Sequence, residues 1–132
     1  MSIKSLHHSQ CKVDINTDRA LRNFHETLIT FCEGAKRMHM QNIAHCDLNP
    51  GNITLTQTTD GETFVLKMID FDQMKQFNAT DITMSFYIDV LLILRGITML
   101  LNLVQCVSDD EDVIRNFLSR IIGLIHKVKA LN

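Results

Sequence analysis

Ile43-Ala44-His45-Cys46-Asp47-Leu48-Asn49-Pro50-Gly51-Asn52 is the stretch whose reading decides the fold. Pro50-Gly51 marks it as a loop. A helical pattern runs into it from upstream. Leu21, Phe24, Leu28, Phe31, Ala35 and Met38 recur at steps of three and four, which puts them on one face. Asn16 or Thr17 stands where the helix start needs a cap. Gly34 sits inside this helix at a cost of about 1 kcal/mol against alanine, so close packing is expected there. The pattern breaks near Asn42. Downstream of the loop lie two strand-like runs, Ile53 to Gln57 and Thr63 to Ile69, with the turn signal Asp60-Gly61 between them. Asp70-Phe71-Asp72 follows the second run directly.

A hairpin that turns near Asp60 brings its outer ends together. Asn52 and Asp70 are therefore expected within a few ångströms of each other, with Asp47 in the same loop. A carboxylate and an amide oxygen converging beside a second carboxylate suit Mg²⁺, which takes hard oxygen ligands and leaves positions for water or phosphate. A second reading stays open: Asp47 and Asn52 fix a tight loop by bonding backbone groups. His45, taken alone, reads as a buried histidine whose ring donates to a backbone carbonyl.

The rest of the chain bounds the class. Its 132 residues are 45% hydrophobic and 21% charged, enough for one globular core. The formal net charge is -2 and no long basic run occurs, so nucleic acid is not an expected partner. Cys11, Cys32, Cys46 and Cys106 form no CxxC pair, which argues for reduced thiols and a cytoplasmic setting. Met1 to Gln10 has no apolar core of a signal peptide. From Ser85 to Gln105 the chain reads as a helix apolar almost all round. Asp89, Arg95 and Asn102 interrupt it, so a buried core helix is expected rather than a membrane span. A last amphipathic helix follows Ser108, with Val113, Phe117, Ile121, Leu124 or Ile125, Val128 and Leu131 as its buried stripe. Residues 1–16 are polar and aperiodic and read as a flexible arm, leaving 17–132 as the folded domain.

Gly34 to Ile53 resembles the end of the long C-lobe helix and the catalytic loop of protein kinases, with the pattern H-R-D-L-x-x-x-N. Met68-Ile69-Asp70-Phe71-Asp72 resembles the D-F-G motif, in the right order after a hairpin. Asp89 matches the aspartate of the central C-lobe helix. The likeness covers about residues 18–105 and is shared with small-molecule kinases of the aminoglycoside-phosphotransferase type. It implies that Asp47 accepts the substrate hydroxyl proton and that Asn52 and Asp70 hold Mg²⁺, with ATP as the second cofactor. It further implies that His45, Phe71 and Asp89 support the site, His45 packed under Phe71 and Asp89 holding the loop by its backbone.

The departures from that pattern shape the functional expectation. Cys46 stands for the arginine, Asn49 for the catalytic-loop lysine, and Asp72 for the glycine of D-F-G. Only 44 residues precede His45, and none of the five glycines forms a Gly-rich loop. Asp70 and Asp89 are 19 residues apart, too close for an ordinary activation segment. The fold class expected is thus mainly α with a small β-hairpin: a kinase-like C-terminal lobe without N-lobe or activation segment. Its wording resembles short kinase-like effectors of enteric pathogens, for which the setting is the host cytoplasm. The implied function is a truncated, pseudokinase-type module that binds a protein partner, a kinase or kinase-associated protein, with at most weak Mg-nucleotide binding. The alternative is a minimal or split ATP-dependent kinase that phosphorylates a protein hydroxyl.

Overall fold

The computed structural model describes residues 1–78, 83–106 and 110–129. Helix α1 (Ile3–His8) and strand β1 (Val13–Ile15) lead into the long helix α2 (Asp18–Met40). Strand β2 (Ile43–Ala44) and a 3₁₀ turn (Pro50–Asn52) flank the loop, and β3 (Ile53–Gln57) and β4 (Phe64–Met68) form the hairpin. Then come β5 (Lys75–Gln76), α3 (Thr83–Leu101), β6 (Val104–Cys106) and α4 (Glu111–Lys129). The chain is mainly α, with small two-stranded sheets pairing β1 with β6, β2 with β5 and β3 with β4. The Ser108 start signal, Leu131 and the side chains of Val113, Leu124, Ile125 and Val128 lie outside the described residues.

Thr17 caps α2, its hydroxyl accepting the Ala20 N–H at 3.0 Å. The helix ends where Asn42 turns left-handed at φ 62°. Its inner face buries Leu21, Phe24, Leu28, Phe31 and Ala35. Phe24 meets Phe64 of β4 edge-on at 5.3 Å. Thr27 accepts the Leu66 N–H at 3.0 Å, so α2 covers the outer edge of β4. These contacts lock the hairpin against the helix and fix where both ends of the hairpin emerge. The turn itself needs Gly61, which sits at φ 75°.

Three expectations are corrected. Residues 1–16 are not a loose arm. Ile3, Leu6, Val13 and Ile15 are buried in the core, Met1 exchanges backbone bonds with Leu55, and β1 runs parallel to β6. The segment reads as polar because Lys4, Ser5, His7 and His8 face solvent while single residues reach inward. Second, α3 is not buried all round. Ile93, Ile97 and Leu100 are in the core, but Met84, Tyr87, Ile88 and Leu91 are exposed. Met84–Leu101 is long and apolar enough to cross a membrane by length and composition, and 28% of it is buried in this fold. Its inner face belongs to the core, so inserting it into lipid would strip that core. The helix also stops at Leu101, because Val104–Cys106 is taken up as the partner of β1. Third, the close packing expected at Gly34 is at Gly96. A Cβ on Gly34 would meet nothing nearer than the Arg37 guanidinium at 3.9 Å, whereas one on Gly96 would sit 3.2 Å from Ile53 and 3.6 Å from Ile3. Gly96 lets α3 approach β3 and α1 together.

Candidate functional site

The loop between β2 and the 3₁₀ turn is held from beneath by one buried carboxylate. Asp89, fully buried on α3, accepts the His45 N–H at 2.8 Å on Oδ2 and the Cys46 N–H at 3.1 Å on Oδ1. His39 of α2 donates from Nε2 to the same Oδ2 at 2.9 Å. Two consecutive N–H groups reach one carboxylate because Cys46 is left-handed, at φ 70°. That conformation costs a non-glycine residue on the order of 1 kcal/mol or more, and it persists because Asp89 fixes it. The His39 ring stacks on Phe86 at 4.4 Å and forms part of the wall of a cavity of about 340 Å³ between α2 and α3.

His45 is also fully buried and ties the loop to the end of the hairpin. Its Nδ1 accepts the Asp47 N–H at 3.2 Å, and its Nε2 lies 2.9 Å from the Ile69 carbonyl. A ring nitrogen facing an N–H is bare, and one facing a carbonyl carries the proton, so the tautomer is Nε2–H. The ring packs against Phe71 at 4.9 Å. Ile69 in turn donates its N–H to the Asn52 carbonyl at 2.9 Å, one residue before Asp70. The hairpin register pairs Ile53 with Met68, which sets Asn52 opposite Ile69. The strand end that carries Asp70 thus lies beside the loop that carries Asp47 and Asn52. Asp70 itself is exposed and left-handed at φ 59°, which turns the chain sharply out of β4.

Both oxygens of Asp47 are engaged. Asn49 Nδ2 donates to Oδ1 at 2.9 Å, and Asn52 Nδ2 donates to Oδ2 at 3.1 Å and to the Asp47 carbonyl at 2.9 Å. Asn49 Oδ1 accepts the Gly51 N–H at 2.8 Å. A Cβ on residue 51 would lie 2.9 Å from that oxygen, so Gly51 is what lets Asn49 reach back. The orienting role of Asn49 escaped the sequence reading, where it figures only as a replaced lysine. An Asn directly before Pro-Gly was the available signal, since such side chains bond the backbone two residues on.

The donor set fits Mg²⁺. With its nitrogen spent on Asp47, the Asn52 amide has its carbonyl oxygen left to offer, and Asp70 adds a carboxylate. Hard oxygens, few in number, suit an ion that keeps most of its coordination for water and phosphate. Among the described residues no cluster of three or more His, Cys, Asp or Glu side chains could cage a metal by itself.

Cys46 lines the same loop. Burial and the Asp89 charge push its thiol up from the ordinary value, and burial with Glu33 nearby pushes Cys32 up to about 11. The thiolate is the reactive form, so at pH 8 Cys32 stays almost wholly in the unreactive thiol form. Iodoacetamide at pH 8 is expected to modify exposed Cys11 first and the raised, partly buried Cys32 much more slowly. Peptide mass spectrometry over time checks the order. Equal rates at Cys11 and Cys32 would contradict the burial of α2 against α3.

The family model for lipopolysaccharide kinases (Kdo/WaaP) matches residues 6–82, more than half of the chain. The chain belongs to this family. In this Kdo/WaaP-family chain the match begins within α1, takes in α2, the whole loop and the hairpin with Asp70, and stops short of α3. The fold is protein-kinase-like. No curated protein matches the chain. Among solved structures, Rio2 kinase from Chaetomium thermophilum, in its ADP/Mg²⁺-phosphoaspartate complex, is 14% identical with a TM-score of 0.42. The comparison covers 95% of this chain and 52% of that one, so the chain spans about half the length of that kinase.

Proposed function

We propose that this chain supplies the hydroxyl-facing and metal-facing half of an ATP-dependent phosphotransfer site. One observation carries the proposal: Asn52 spends its nitrogen on the Asp47 carbonyl and carboxylate, which leaves its amide oxygen to offer, and its backbone carbonyl pairs with Ile69, the residue before Asp70. Asp47, its carboxylate aimed by Asn49 and Asn52, accepts the proton of the incoming hydroxyl. Asn52 and Asp70 hold Mg²⁺, which when bound would neutralise charge on the phosphate oxygens. The family name points to a hydroxyl on a lipopolysaccharide sugar as acceptor; a protein hydroxyl is the alternative acceptor. Residues 1–132 contain no glycine-rich run to cover phosphates. That surface comes from further chain or from a protein partner, in a cytoplasmic setting where ATP is supplied.

A second reading, a pseudokinase-type binding module, is favoured by a different observation. Ile69, Phe71 and Met74 are exposed around Asp70, an apolar rim suited to a protein partner. Melting curves with Mg²⁺ and ATP, added separately and together, separate the two. Under the enzyme reading the pair raises Tm in the wild type and not in Asp70→Asn. At ten times Kd the expected gain is about 1.4 kcal/mol. Asp47→Asn is expected to keep the fold and the nucleotide shift while cutting labelled-phosphate transfer by about 10²–10⁴. No shift and no transfer, with sugar or protein acceptors and with partners added, leaves the binding module standing.

A further inference from the structure

The loop that carries Asp47 and Asn52 has no cation of its own. Asp47 to Asn52 contains neither lysine nor arginine. Phosphate oxygens gather charge during transfer, and a cation beside them stabilises it. Helix α1 brings one. Ser2 caps this helix by accepting the Ser5 N–H at 3.0 Å, and Ile3 and Leu6 fill the core. The start of α1 is tied to β3, the strand that leaves the loop. Leu55 donates its N–H to the Met1 carbonyl at 2.9 Å, and Ser2 bridges to Thr54. With Ile3 turned inward and Met1 and Ser2 fixed to β3, α1 packs on the 3₁₀ turn and Lys4 lies over it. A Cβ on Gly51 would sit 3.6 Å from the Lys4 Cδ and 2.9 Å from Asn49 Oδ1. The stem of Lys4 and the amide that orients Asp47 thus flank one point of the loop.

Lys4 is exposed, and among the described residues its ammonium makes no ion pair. Lys75 also approaches the loop, but at its other end, beside the Cys46 thiol. We propose that Lys4 is the substrate-binding cation of this site, its ammonium holding an oxyanion of phosphate or carboxylate type beside Asn49. The proposal rests on the phosphotransfer reading above and adds the charge of what is bound. Two substrates carry such a group: the nucleotide through its phosphates, and a sugar acceptor through an acidic substituent. Gly51 keeps the place open, since a side chain there would press on the Asn49 oxygen. A lysine stem can also cover a glycine with its charge left idle in water. The two roles differ in what the charge does, so the charge is what the test removes.

Lys4→Met keeps an unbranched stem over Gly51 and loses the charge, and Lys4→Arg keeps the charge. Both should melt within a few degrees of the parent, because the side chain is exposed. Isothermal titration of the full chain uses three probes: Mg-ATP for the nucleotide, and glucose 6-phosphate and glucuronate for an acidic acceptor. Lys4→Met is expected to weaken binding of at least one probe about tenfold, and Lys4→Arg to restore most of it. Raising salt from about 50 mM to about 500 mM should shrink the difference, since an exposed charge is screened. A loss confined to Mg-ATP puts the oxyanion on the nucleotide, and a loss confined to a sugar puts it on the acceptor. Equal affinities of Lys4→Met and the parent would overturn the proposal. So would a loss that Lys4→Arg shares in full, which is packing, or one that Lys75→Met reproduces, which is general charge. Asp70→Asn, titrated alongside, keeps the two readings apart. If it loses Mg-ATP while Lys4→Met binds like the parent, the phosphotransfer reading stands and the role of Lys4 falls. A parent chain that binds none of the three probes takes both down.

Discussion

A chain that starts at residue 17 is expected not to fold. Removing residues 1–16 takes away Ile3, Leu6, Val13 and Ile15, all buried, with Ile3 and Ile15 fully so. Truncating a buried isoleucine or leucine to alanine costs about 2–5 kcal/mol, and the four together reach the whole stability of an ordinary domain, about 5–15 kcal/mol. The loss goes beyond side chains. Leu55 would lose its backbone partners at Met1, and β6 would lose the strand it pairs with. The methyl groups of Ile53 and Ile3 that meet over Gly96 would part, opening α3 to water. Circular dichroism of residues 17–132 should show no cooperative thermal transition. Ile15→Ala in the full chain should keep the transition but lower it by about 3 kcal/mol, and Lys4→Ala, on the exposed side of α1, should leave it within about 0.5 kcal/mol. A cooperative melt of the shortened chain within a few degrees of the parent would show that the segment is dispensable.

That segment also shows what the sequence conceals. The helix α2 announces itself over six turns, so its face could be read residue by residue. Helix α1 has six residues and offers only Ile3 and Leu6 as an inner face, which is no period at all. Strand β1 has three residues, and its partner β6 lies some 90 positions away in the chain, a pairing that no local pattern carries. The loop was legible because its chemistry is concentrated in ten residues, and because a hairpin with a marked turn dictates that its ends meet. The exposed side of α3 was not. Met84, Tyr87, Ile88 and Leu91 look like core residues, and whether they are buried depends on what packs against them rather than on their own kind. Gly34 and Gly96 make the same point. Both sit in helices, and only the position of the neighbouring elements tells which one needs to be small.

Asp89→Ala is expected to cost about 3–5 kcal/mol, the price of breaking a buried charged hub by removing one member. For a chain of this size that lowers Tm by roughly 10 °C or more. The expectation follows from what stays behind. His45 N–H and Cys46 N–H would remain pointing at a space without an acceptor, and His39 would lose the partner of its Nε2. An unpaired buried donor costs about 1–3 kcal/mol each. Asp89→Asn keeps the shape but can accept on one atom only, and its amide nitrogen would face donors. It should therefore recover less than half of the loss. The positive φ of Cys46 loses its reason once the carboxylate is gone, so the loop should relax and carry Asp47 away from Asn49 and Asn52. Fold and site then fail together, unlike Asp47→Asn, where the fold stays. Thermal melts of the two Asp89 variants beside Asp47→Asn measure the difference. If Asp89→Ala melts within about 1 kcal/mol of the parent, the loop is held by its own asparagines, and the buried carboxylate is not its anchor.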